Sequence, residues 1–216
     1  MDASTWQLYR CAGTLMVFPA GVSEPGRQDI LDSLLLAQLV ANKQHDPYQA
    51  SSGWRRNWAH TMDLLHWAVT ASLGQEGPRK QPFTLASLIA QTLNATPGPD
   101  VTTLLAGLGA VHVKALEPYC TRQDAESTQL RLTFGLAHSD CLIQLASIAF
   151  EIAAPLEQHW LSHTYGDNAH SALTVSRMGT TLTLTSGYAA ERSKVITSLG
   201  SKRSQEIERI ELTTQS

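Results

Sequence analysis

Apolar residues recur along this chain at two spacings, and the spacing changes near Cys120. Two short extended stretches open it, "TWQLYR" and "TLMVF", with Gly13 between them, and "PAGVSEPG" is a cluster of breakers. From Asp29 to Lys43, Ile30, Leu31, Leu34, Leu35, Leu36, Leu39 and Val40 surround most of a helix, which predicts a buried one. "SSGWRRNWAHTMDLLHWAVTASL" predicts a second helix, capped by Ser51 or Ser52, with Trp54, Trp58, Met62, Leu65 and Val69 on one face. "GQEGPRKQP" reads as a linker. Thr84 caps a short helix carrying Leu85, Leu88, Ile89 and Leu93. After "TPGPD", Asp100 caps a fourth helix, in which Val101, Leu104, Leu105, Leu108, Val111, His112 and Leu116 keep helical spacing. Its other face, Ala106, Gly107, Gly109, Ala110 and Val113, is small enough for another backbone or a membrane to come close.

Beyond Cys120 the period becomes that of a strand. Leu130, Leu132, Phe134 and Leu136 alternate with Gln129, Arg131 and Thr133. "CLIQLASIAFEI" is apolar on both faces, as in a strand covered on both sides. A turn at Ser139–Asp140 would pair Leu136 with Ile143 and Phe134 with Leu145. "ALTVSRMGTTLTLTS" reads as a second hairpin turning at Met178–Gly179. "GYAAERSKVITSLG" reads as a closing helix and "EIERIEL" as a short terminal element. The predicted fold is therefore α+β: one domain over residues 1–216, with a helical layer at about 26–118, antiparallel hairpins at about 128–187 and a terminal helix at about 188–200.

Composition narrows the function. Of 216 residues, 43% are hydrophobic, enough for a sizeable core, and only 16% are charged, so part of the surface is expected to meet a partner. The net charge of −3 and the lack of a Lys/Arg run argue against nucleic acid. The three cysteines, Cys11, Cys120 and Cys141, are odd in number and without a C-x-x-C, so they read as thiols, not a disulfide framework. The N-terminus shows no secretory signal, and the longest apolar run is broken by Gln144, Ser147 and Glu151. The chain is thus expected to be made soluble in the cytoplasm and to be released or membrane-associated when it acts.

No nucleophile elbow, phosphate loop or dinucleotide loop is present. The remaining candidate is "HWLSHTYGDNAH", residues 159–170. It approaches the metzincin spacing, but Trp160 replaces the general-base Glu, so hydrolytic chemistry is lost. An ion could still be held by His159, His163 and Asp167 or His170. Residues four apart share an ion on a helix, where they are roughly 6 Å apart, and not on a strand, where they are about 13 Å apart. The alternation here favours strand plus turn, hence solvated histidines and no cofactor.

The order of helix pairs, long hairpins and closing helix, and the stretch "LRLTFGLAHSDCLIQLASIAFEI", resembles the Cyt-type cytolysins, membrane-permeabilising proteins of bacteria and fungi. The resemblance spans residues 26–200. It implies a sheet flanked by helix layers, and action by strand insertion and oligomerisation without a cofactor. Leu142, Ile143, Leu145, Ile148 and Phe150 would form the inserting or oligomerising strand, and Arg131 and Glu151 would need a lumen or an interface. The leading expectation is a non-enzymatic membrane-interacting, toxin-like protein whose partner is lipid or another copy of itself. The rivals are an assembly subunit that never meets lipid, with Trp67 and Trp160 as exposed contact anchors, and, last, a metal-dependent enzyme using the histidine cluster.

Overall fold

Strands from both halves of the chain build one eight-stranded sheet. The computed structural model describes residues 6–94, 98–166 and 173–212. The strands are β1 (Trp6–Cys11), β2 (Thr14–Pro19), β3 (Trp67–Arg79), β4 (Thr121–Gln123), β5 (Thr128–Ser139), β6 (Leu142–Ile152), β7 (Leu173–Leu184) and β8 (Ile207–Ile210). Their order is β3-β7-β6-β5-β2-β1-β8, with β4 beside β5. The helices are α1 (Glu24–Gln44), α2 (Ser51–Leu64), α3 (Leu85–Leu93), α4 (Val101–Ala106), α5 (Ala110–Cys120), α6 (Tyr188–Leu199) and α7 (Lys202–Glu206). The α+β class stands, but the sheet is mixed and not confined to the C-terminal half. β2 runs parallel to β5, with Thr14 opposite Thr133 and Val17 opposite Leu136.

A separate core lies on each face of the sheet. On one, α3, α4 and Leu116 of α5 cover Leu130, Leu132, Phe134, Leu136, Ile148 and Phe150. On the other, α1, Met62 of α2 and α6 cover Tyr9, Met16, Phe18, Ile143, Leu145 and Leu182. This is why the sequence of β6 is apolar on both sides: each parity of side chain meets a helical layer.

Four local expectations are corrected. The helix opened by Ser51 stops at Leu64; His66 takes a φ of 64°, and Trp67–Arg79 is a strand that pairs along its whole length with β7. Pairing with β7 prevails over the helical spacing, and six of the nine "linker" residues belong to this strand. Pro78 is tolerated there because β3 is the sheet edge and needs no further donor. The long helix from Asp100 breaks at Gly107–Gly109 into α4 and α5, so the small-residue face marks a break and not a packing stripe. β7 is one strand without a turn. Gly179 lies opposite both Ala146 and Leu73, and a Cβ there would stand 3.2 Å from the Thr92 carbonyl of α3, so the glycine admits a helix instead of reversing the chain. Finally, a bulge between Ala137 and Ser139 puts Ala137 opposite Ile143 and Leu136 opposite Gln144. Leu136 and Ile143 belong to different cores, so the pairing read from the turn would have set residues of opposite faces against each other.

The helical layer over the second core is tied down by charge. Ser23 caps α1 through Gly26 N–H and donates its own N–H and hydroxyl to Asp140, on the β5–β6 turn, at 2.7 and 2.6 Å. Asp29 and Asp32 of α1 accept from Arg192 of α6 and Arg203 of α7, at 2.5 and 2.8 Å. Burial raises the pKa of Asp32 above the ordinary carboxylate value, against the pull of Arg203. Between the ordinary and the raised value the folded state holds a proton that the unfolded state has released. The charged Asp32 therefore costs stability at neutral pH, and that cost disappears as pH falls through the raised pKa. Between about pH 7 and about pH 4, the melting temperature of the wild type should accordingly rise relative to that of Asp32→Asn. A difference that stays flat or runs the other way contradicts the assignment.

Candidate functional site

Register divides the strands β5, β6, β7 and β3 into two chemically different faces. Leu130 stands opposite Phe150, Leu132 opposite Ile148, and Phe150 opposite Val175. With Phe134, Leu136 and Leu173 these residues make one apolar face, closed by α3, α4, Trp160 and Leu161. The alternate positions form rows across the sheet: Arg131–Ala149–Ser176–Glu76 and Thr133–Ser147–Met178–Gly74. These rows, Gly74 excepted, line an open cleft of about 1000 Å³ between the sheet and α1–α2. The strands have 13 (β3), 12 (β5), 11 (β6) and 12 (β7) residues. A charged side chain interrupts the apolar face: Arg177, opposite Ile148, donates to Gln91 of α3 at 3.2 Å and to Gln75 of β3.

The cleft has its own geometry. The guanidinium of Arg131 lies over the ring of Trp54, 3.7 Å from its centroid, and donates to the Pro47 carbonyl at 3.2 Å. Trp54 is fixed in turn by its indole N–H, which donates to Asn42 at 2.6 Å. Tyr48 donates to the Tyr119 carbonyl at 3.3 Å. On the sheet floor the hydroxyls of Thr133 and Ser147 are 3.0 Å apart. Burial, with Arg55 close by, lowers the Arg131 pKa to about 10. The sequence identifies Arg131 only as a residue needing a polar surrounding and Trp54 only as core. Their pairing depends on how α2 lies over β5, which no spacing encodes.

The residues singled out from sequence are placed as follows. Ile148 and Phe150 lie in the apolar face under α3, whereas Ile143 and Leu145 point the other way, toward α1, and Leu142 is half-buried at the strand end. The five therefore do not form one surface. Trp67 and Trp160 are 1% and 0% exposed, so the expectation of two exposed interface anchors is corrected. Trp67 belongs to the core beneath α1, and Trp160 to the one beneath α3. Of the expected strand plus turn, residues 159–163 show only the turn. His163 N–H donates to the His159 carbonyl at 2.9 Å, closing a single turn whose anchors are Trp160, Leu161 and Tyr165. His159 is exposed, and the His163 ring packs edge-on against Tyr165, 4.8 Å between centroids. Asp167 and His170 lie outside the described residues. Among the described residues, no group of three His, Cys, Asp or Glu side chains is arranged to hold a metal. No described helix is long and apolar enough to cross a membrane.

No protein-family model matches the chain, and no curated protein matches it. Among solved structures it is similar to a delta-endotoxin, with a TM-score of 0.45 and 10% identity over 86% of each chain. It is also similar to the Evf virulence factor, with a TM-score of 0.37 and 9% identity over 91% of this chain and 84% of that one. The neighbours include the family that the sequence resembles: activated Cyt2Ba monomer from Bacillus thuringiensis subsp. israelensis matches with a TM-score of 0.44 and 15% identity, over 82% of this chain and all (100%) of that one.

Proposed function

We propose that this chain acts on lipid membranes without catalysing a reaction, by turning the apolar face of β5, β6 and the start of β7 from its helical cover to lipid. The observation that supports this reading is the two-faced sheet. A strand needs about nine to eleven residues to span a bilayer, and β5, β6 and β7 have 12, 11 and 12. A membrane strand also needs one lipid-facing parity and one water-facing parity. Here the first is Leu130, Leu132, Phe134, Ile148 and Phe150, and the second is Arg131, Thr133, Ser147 and Ser176, joined toward α1 by the apolar Ile143, Leu145 and Leu182. Arg131 and Glu151 thus share the lumen-facing parity that insertion requires of them. Because open edges are not tolerated in hydrocarbon, several copies would have to close a barrel.

The test is dye release from zwitterionic and anionic vesicles at several pH values. Wild-type protein should bind vesicles and release dye. Arg177→Leu should release it several-fold faster, because a midplane arginine on the lipid face of a barrel costs about 2–4 kcal/mol. The absence of both binding and release on every vesicle would overturn the membrane reading.

A second reading, assembly with another copy without lipid, is supported by the edge strand β3. It has 13 residues, and its Val69 and Leu73 are 49% and 77% exposed. Stable oligomers on a sizing column in the absence of lipid would favour it over the first.

A further inference from the structure

The cleft between α2 and the sheet contains a cation without a counter-ion among the described residues. Arg131 is half-buried; it contacts the Trp54 ring and one backbone carbonyl, and no carboxylate among the described residues is in salt-bridge range. The acids that line the same cleft are engaged or remote. Asp46 accepts from Arg122 at 2.7 Å and from the Tyr48 and Gln49 amides. Glu151 accepts from Gln129 at 3.1 Å. Glu76 lies on the same row as Arg131 but three strands away. Arg55, on the cleft wall, is also without an ion pair among the described residues, and it is near enough to disfavour the charge on Arg131. Two guanidinium groups facing one partly dehydrated space repel each other, and no carboxylate among the described residues pairs with either.

We propose that this cleft binds a phosphate monoester carried on an apolar body, with Arg131 as the anchoring cation and Arg55 as the second. A dianion neutralises both guanidiniums, which a carboxylate cannot, and the planar fork of Arg131 is suited to two phosphate oxygens. The Thr133 and Ser147 hydroxyls, paired on the floor, add donors. Trp54, Trp58 and Leu145 supply the apolar wall. The proposal stands on the cleft alone and survives failure of the membrane reading. The ligand class has two sources, a soluble metabolite and a phosphatidate headgroup.

The test is titration calorimetry of the full chain with phenyl phosphate and with benzoate, and sedimentation with vesicles of phosphatidylcholine with and without phosphatidate. Melting curves in inorganic phosphate run alongside. Wild type should bind phenyl phosphate one to one, at least tenfold tighter than benzoate, and phosphate should raise its melting temperature. Arg131→Gln should lose tenfold or more in affinity and most of that thermal shift. Arg131→Lys should keep part of both, and Arg55→Gln provides a second variant, on α2 and away from the sheet floor. Binding to phenyl phosphate in solution assigns a soluble source. Phosphatidate-dependent sedimentation without phenyl phosphate binding assigns the headgroup. No anion-dependent signal in either arm, equal affinity for benzoate, or an undiminished signal in both Arg131→Gln and Arg55→Gln overturns the proposal. A purely structural Arg131 stacked on Trp54 would shift the melting temperature on mutation but leave no phosphate dependence.

Discussion

Replacing Trp160 with alanine should lower the unfolding free energy by about 3–5 kcal/mol, the cost of removing a large buried aromatic side chain. Trp160 is 0% exposed within the core beneath α3. Its backbone carbonyl accepts the Tyr165 hydroxyl at 2.6 Å, and Tyr165 packs on Phe83 and Phe150. The turn at 157–166 is therefore pinned to the sheet through its aromatic residues. Phenylalanine at the same place should cost less than alanine, because its ring keeps most of the buried volume and leaves a smaller cavity. It also discards an indole N–H that is buried without a partner among the described residues. Chemical denaturation of the two variants decides the matter. If Trp160→Ala unfolds within about 0.5 kcal/mol of wild type, as an ordinary surface substitution does, the indole is not core and the turn is loosely held.

The second large effect is expected at Gly135. Its position on β5 faces Met16 of β2 and Leu145 of β6, beneath α1. A Cβ there would stand 1.9 Å from the Met16 sulfur and 2.8 Å from a Leu145 methyl, both on buried side chains. Valine should cost at least about 3 kcal/mol, the upper end of the overpacking range. At about 2–4 °C per kcal/mol for a chain of this size, the melting temperature should fall by roughly 6–12 °C. Met16→Ala should be destabilising alone, yet the double variant should lose less than the sum of the two. A coupling of about 0.5–3 kcal/mol is the signature of two side chains competing for one space. Strict additivity would mean that the strain at Gly135 is relieved elsewhere.

The sequence made some of this legible through periodicity and caps, and concealed the rest for identifiable reasons. Ser23 was hidden in a breaker cluster, but the buried helix after it was plain, because Ile30 to Val40 are apolar all round. Thr84 and Asp100 cap α3 and α4 as their positions suggest. β5 and β6 were readable because alternation and double burial leave different patterns. β3 was not, because its residues are largely exposed and carry two glycines and a proline, so neither period shows. The faces of β6 were read as one apolar set because strand parity gains meaning only when two different layers lie on either side. The histidine segment drew attention by composition, yet its structural content lies in the aromatic residues between the histidines. Arg131 and Trp54 are 77 residues apart in sequence, and their stacking follows from the docking of α2, which is non-local.

The most direct test of the membrane reading is the reactivity of single cysteines along β5, with and without vesicles. Cys141→Ser removes the exposed native thiol. Cys11 and Cys120 stay silent, because burial pushes both thiols up, Cys120 to about 12. Into this background go Gln129→Cys and Thr133→Cys on the cleft face, and Leu130→Cys and Leu132→Cys on the apolar face. In water, only positions 129 and 133 should react with a membrane-impermeant maleimide. On vesicles, positions 130 and 132 should open to a lipid-soluble reagent and not to the impermeant one, while 129 and 133 stay open to water. If 130 and 132 remain closed to both reagents on protein that has bound vesicles, the helical cover has not left the sheet, and insertion of this face is contradicted.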